Sequence, residues 1–159
     1  MFYDRPMTPM PFTGYSRILL PIDFTAHCER TATHAAWLAR QSGGTVHLVH
    51  VIENPLDPIY APQEVQHWVV VEHANQKARV LLEETARTCL PADLPRELHV
   101  VSGDPSEKLV DLAQTIGADL IVMSTHGTSS IAHLLLGDIA DNVARHARCP
   151  VLLIRAPRE

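Results

Sequence analysis

Between the apolar run ending at Met123 and a helical pattern opening at Asp138 lies the stretch THGTSSIAHLLLG. Its glycines, Gly127 and Gly137, are separated by nine residues, and hydroxyl side chains crowd its first half. A loop of this kind that feeds a helix start presents unpaired backbone N–H groups and the positive end of the helix dipole, and glycines let a phosphate approach the backbone closely. The same glycines also serve an ordinary strand-to-helix turn, so spacing alone leaves both uses open. Two features oppose a phosphate. Asp138 places a carboxylate where an anion would sit, and no Lys or Arg occurs between Met123 and Ala144.

The ten histidines raise the question of a metal. His47 and His50 are three apart in a strand pattern and so point to opposite faces. His67 and His73 are six apart, a poor match to one helix face. His126 and His133 could converge only if the loop folds back. No metal site is expected. The three cysteines, Cys28, Cys89 and Cys149, form no CxxC pair and read as reduced thiols. Cys28 lies in an early helix turn, where thiolates are favoured, but an inert, packed thiol is the plainer reading. No GxxxxGK[ST], GxSxG or HExxH motif occurs, and no nucleophile–base–orienter set can be named.

The elements that must position these groups alternate. Strands are expected at 17–23, 45–53, 97–103, 119–124 and 150–155. Helices are expected after Thr25 as N-cap up to Gly43-Gly44, from roughly Glu64 to Cys89, after Asp104, and from Asp138 to Ala147. The third helix has the clearest start: Asp104 as cap, Pro105 in the first turn and Glu107 as the partner of a capping box. Ala78, Leu81, Leu82, Thr85 and Cys89 form the expected buried stripe of the second helix, and Ala140, Val143, Ala144 and Ala147 that of the fourth. Residues 54–63, with three prolines, read as a loop, and residues 1–15 as a flexible N-terminal arm before one domain at 16–159. The order βαβαβαβαβ predicts an open parallel α/β sheet with helices on both faces. Ligands of such sheets bind beyond the carboxyl ends of the strands, which points to Ile22-Asp23, to Val51 with its neighbours, to Ser102-Gly103 and to the loop from Ser124.

Of 159 residues, 46% are hydrophobic and 19% charged, and the net charge is −5. That is globular composition without the basic excess nucleic-acid binding needs, so no nucleic acid is expected. No apolar leader segment and no run of 18 apolar residues occurs, so the expected location is cytoplasmic, with no membrane contact.

ILLPIDFTAHCERTATHAAWLA, VHLVHVIE, GADLIVMSTHG and LLLGDIADNVARHARCPVLLIR together resemble the universal stress protein family over residues 16–156. The resemblance implies a Rossmann-like (HUP-type) five-stranded parallel sheet of order 3-2-1-4-5 and a homodimer through the last strand, Val151–Arg155. It also implies an adenine-nucleotide site for AMP, ADP or ATP. ATP-binding members carry Gly, two residues, Gly, nine residues, then Gly followed by Ser or Thr. On this chain the pattern begins at Ser124 in place of the first Gly, keeps Gly127 and Gly137, and ends on Asp138 in place of the hydroxyl. Thr128 stands where such members usually have Arg or Lys. By the same resemblance Asp23 and Val51 contact adenine or ribose, Ile22 and Met123 line the pocket, and His126 and Ile139 flank the signature positions. Asp23 could equally help cap the first helix. The expectation is a non-enzymatic stress-response or signalling module with a nucleotide site weakened at its phosphate end. The alternatives are slow nucleotide hydrolysis, with Asp138 bridging Mg²⁺ to phosphate, or an interaction-only domain with a vestigial site. A protein partner is not named by the sequence.

Overall fold

The computed structural model describes residues 12–55, 67–125 and 137–155. The elements are β1 (Arg17–Pro21), α1 (Cys28–Ser42), β2 (Thr45–Ile52), α2 (His67–Cys89), β3 (Arg96–Ser102), α3 (Pro105–Ile116), β4 (Leu120–Ser124), α4 (Asp138–His146) and β5 (Val151–Ile154). All strand pairs are parallel, in the order β3-β2-β1-β4-β5. The strands are short apolar runs because both faces are covered, so side chains of either parity are buried. Ile18, Leu20, Val46, Leu48 and Val122 pack with α1 and α2, and Leu19, Val49, Ile121 and Met123 pack with α3 and α4.

The helix starts differ in how well their chemistry shows. Asp104 caps α3, its side chain accepting from the Glu107 N–H at 3.0 Å with Pro105 in the first turn. The reciprocal bond from Glu107 is not formed among the described residues. α1 begins later than Thr25: its cap position is His27, without a side-chain cap bond, because Thr25 is engaged with Asp23. It ends as expected, with Gly43 in the left-handed conformation at φ 65°. Gly44 is required for a second reason, since a Cβ there would collide with the Tyr15 carbonyl oxygen.

Two buried stripes are rotated from their expected phase. The deepest residues of α2 are Val70, Ala74, Ala78, Leu82 and Ala86, with Leu81, Thr85 and Cys89 half-buried at its flank. On α4, Ala140 and Val143 are buried, whereas Ala144 is exposed. The residues before His67 expected to open α2, most of the N-terminal arm and much of the 54–63 loop lie outside the described residues.

Candidate nucleotide site

The strand order reverses between β1 and β4, and the carboxyl ends of β2, β1 and β4 meet there. Pro21 pairs with Val49, so continuing the register sets Asp23 level with Val51. Leu19 pairs with Ile121, which sets Pro21 level with Met123. Four of the expected residues, Asp23, Val51, Met123 and Ser124, are thereby gathered at one crevice. Their exposure separates them. Asp23, Val51 and Ser124 are half-buried, whereas Ile22 and Met123 are only 4% and 5% exposed, Ile22 packed on the α1 side of the sheet and Met123 on the α3 and α4 side.

Asp23 sits in a tightly organised turn. Its Oδ1 accepts from the Thr25 N–H at 3.0 Å, the Thr25 hydroxyl at 2.7 Å and the Cys28 thiol at 3.1 Å. This is an Asx-type turn, in which a short carboxylate replaces a backbone acceptor. Asp23 therefore does help to start α1, but by ordering the turn rather than by bonding the first helical N–H groups. Among the described residues no hydrogen bond reaches Oδ2, which leaves that oxygen for a ligand hydroxyl or amine. The thiol of Cys28 is pushed up to about 12, first by burial and then by the charge of Asp23. It is a hydrogen-bond donor here and not a nucleophile.

Two further features of this corner carry no signal in residue type or spacing. Phe24 adopts φ +60°, the left-handed region that costs a side chain-bearing residue about 1–3 kcal/mol. Its ring lies 4.3 Å from that of His50, centroid to centroid. His50 Nδ1 is 2.7 Å from the Ile22 carbonyl oxygen. A carbonyl only accepts, so Nδ1 carries the proton. Burial lowers the pKa of His50, which keeps the ring neutral. The end of β1 is thus held from β2, by His50 and by the Ile22 N–H bond to the Val49 carbonyl at 2.8 Å.

At the phosphate end, the Thr125 N–H donates to the Ile154 carbonyl at 3.0 Å, and the Thr125 carbonyl accepts from the Gly137 N–H at 2.9 Å. These bonds fix where α4 begins. The cap residue is Gly137, with φ −61° and ψ 147°, and Asp138 is the first helical residue. Asp is among the strongest cap residues, but here the cap position falls one residue earlier, on Gly137. The exposed Asp138 carboxylate still lies in the first turn, together with Asp141. Both complement the positive end of the helix dipole and repel an added anion. The first cation of the helix, Arg145, lies one turn on and is engaged with Asp141 at 2.8 Å. Ile139 is exposed beside Asp138. His126, Gly127, Thr128 and His133 lie outside the described residues.

A doubly wound parallel sheet with its polar groups at the topological switch defines a Rossmann-like α/β protein. Residues 14–155 match the sequence profile of the Universal stress protein family. A universal stress protein from Thermus aquaticus is 31% identical over 141 residues, covering 89% of this chain and 99% of its own. Among solved structures, the universal stress protein UspA from Lactobacillus plantarum is 25% identical with a TM-score of 0.66, covering 89% of this chain and 99% of that one. A universal stress protein in complex with cAMP is 25% identical with a TM-score of 0.58, covering 89% of this chain and 98% of that one. The chain belongs to the universal stress protein family.

Proposed function

We propose that this chain is a non-enzymatic, cytosolic stress-response module that takes the adenosine part of an adenine nucleotide at the ends of β1, β2 and β4 and holds its phosphates weakly. The observation that carries this reading is the start of α4. The donors that would meet a β- or γ-phosphate stand beside Asp138 and Asp141, and the nearest helix cation is spent on Asp141. The adenosine side is better supplied: Asp23 Oδ2 is available, with Val51 level with it on β2 and Met123 at the end of β4. A relative in complex with cAMP, whose single phosphate carries one charge, supports the same preference for few phosphate charges. The proposal includes a homodimer through β5, an edge strand of four residues whose outer N–H and C=O groups lack a neighbouring strand within the sheet. Mass spectrometry of small molecules released from freshly purified protein tests the ligand class. AMP or another adenosine monophosphate is the expected finding. ATP as the dominant ligand would overturn the reading.

A further inference from the structure

At the far end of the sheet from the nucleotide crevice, β2 and β3 bring three metal-ligating side chains to one point. His47 of β2 is the register partner of Glu97 on β3, and His99 lies two residues further along β3 on the same face. His47 has no chelating partner within its own strand, as the two-residue period requires; its partners come from the neighbouring strand. Three atoms form a triangle. His47 Nδ1 is 3.1 Å from His99 Nε2 and 3.5 Å from Glu97 Oε2, and His99 Nε2 is 3.9 Å from that same oxygen. Zinc bonds to His nitrogen and carboxylate oxygen are about 2.0–2.2 Å, so tetrahedral geometry sets ligand atoms about 3.3–3.5 Å apart. The three edges bracket that spacing, and each side chain offers one nitrogen or oxygen to the group.

We propose that His47, Glu97 and His99 form a three-ligand site for a borderline transition dication of the Zn²⁺ type, with water completing the tetrahedron. The donor set excludes the hard ions: two imidazoles and one carboxylate suit Zn²⁺, Co²⁺ or Cu²⁺, whereas Mg²⁺ and Ca²⁺ require mostly oxygen. The setting suits a bound ion as well. His47 is buried and His99 half-buried, and burial lowers the pKa of both, leaving neutral rings with lone pairs. Glu97 is exposed, which opens the fourth position to solvent. Arg17 is the neighbouring positive charge, and its guanidinium donates to the Gly117 carbonyl at 3.5 Å. His47 and Val51 are four strand residues apart, about 13 Å, so this site and the nucleotide crevice are separate. An ion here would clip the edge strand β3 to β2, the pairing that β3 has on one side only.

The test uses the full chain stripped of metal, titrated with Zn²⁺ against a chromogenic chelator, and with Co²⁺ followed by visible absorption. The expected result is one tight Zn²⁺ per chain and the intense ligand-field bands of tetrahedral Co²⁺. Glu97→Gln and His99→Gln alter accessible positions and should each lower Zn²⁺ affinity by at least about tenfold, as even outer-shell changes at such sites do. They should also abolish the tetrahedral Co²⁺ spectrum. His34→Gln with His146→Gln, on exposed helix faces, should change neither readout. Equal Zn²⁺ affinity in the wild type and the Glu97→Gln/His99→Gln double variant would overturn the proposal. So would loss of binding in the His34/His146 variant instead.

Discussion

Asp23 has two carboxylate oxygens with different work, and a pair of substitutions separates them. Oδ1 holds the β1–α1 turn through two short bonds from Thr25 and a weaker one from the Cys28 thiol. Oδ2 is the oxygen assigned to the nucleotide. Asp23→Ala removes both functions. A hydrogen bond to a charged group is worth about 1.5–3 kcal/mol, and half-exposure with partial replacement by water puts the total for the turn at roughly 2–3 kcal/mol. In a domain of this size that lowers Tm by roughly 5–10 °C. Asp23→Asn keeps an oxygen acceptor for the turn, since Asn forms the same Asx turn, but converts the second oxygen into an amide donor. Its Tm should fall much less than that of Asp23→Ala. Both variants should bind AMP about tenfold more weakly, the loss of one hydrogen bond to a charged acceptor. Differential scanning calorimetry reads the stability and isothermal titration the affinity. If Asp23→Asn binds AMP as the wild type does, Oδ2 is not a ligand contact. If Asp23→Ala melts with the wild type, the three bonds to Oδ1 do not hold the turn.

Three other outcomes are expected. Asp138→Ser removes a carboxylate from the first turn of α4 and should strengthen ATP binding by about tenfold, since one charge at 4 Å in water is worth about 1 kcal/mol and ATP carries several; Thr128→Arg added to it should strengthen binding further, and unchanged ATP affinity in the single variant would refute the repulsion. Leu153→Lys places a charge on half-buried β5 and should shift light-scattering mass from dimer toward monomer at micromolar concentration; a wild type that is already monomeric contradicts the β5 dimer. His47, His50 and His99 have lowered folded-state pKa values, caused first by burial, so the unfolded chain binds more protons just below pH 6.5 and stability should fall as pH drops from about 6.5 to 5.5. Urea midpoints that rise over that interval would contradict the neutral, buried assignment.

The sequence showed local chemistry where a residue acts on its own neighbours. Asp104, Pro105 and Gly43 bound their helices as their side chains dictate, and each strand core lies within one or two residues of its apolar run. Thr25 misled because a good cap residue can be claimed by a carboxylate two positions earlier, a competition that spacing does not reveal. The start of α4 at Asp138 agrees with its helical pattern, while its anchor, the bond from the Gly137 N–H to the Thr125 carbonyl, comes from outside the helix and leaves no local signal. Ala78 and Leu82 are buried as their spacing predicts, but the phase of the α2 stripe is not legible because Ala74 and Ala86 bury about as deeply as Leu82 while carrying little hydrophobic signal. The sheet order came from family resemblance, since periodicity alone gives alternation but not adjacency. For the same reason the His47–Glu97–His99 triangle was invisible: it depends on the β2–β3 register, which joins residues about fifty positions apart.

The central claim is that the adenosine half of the site works while the phosphate half is opposed by Asp138 and Asp141. Titration calorimetry of the wild-type chain with AMP and with ATP, each without divalent metal, tests it most directly. The account predicts that AMP binds and that ATP binds more weakly than AMP. ATP binding as tightly as AMP, or more tightly, would contradict it.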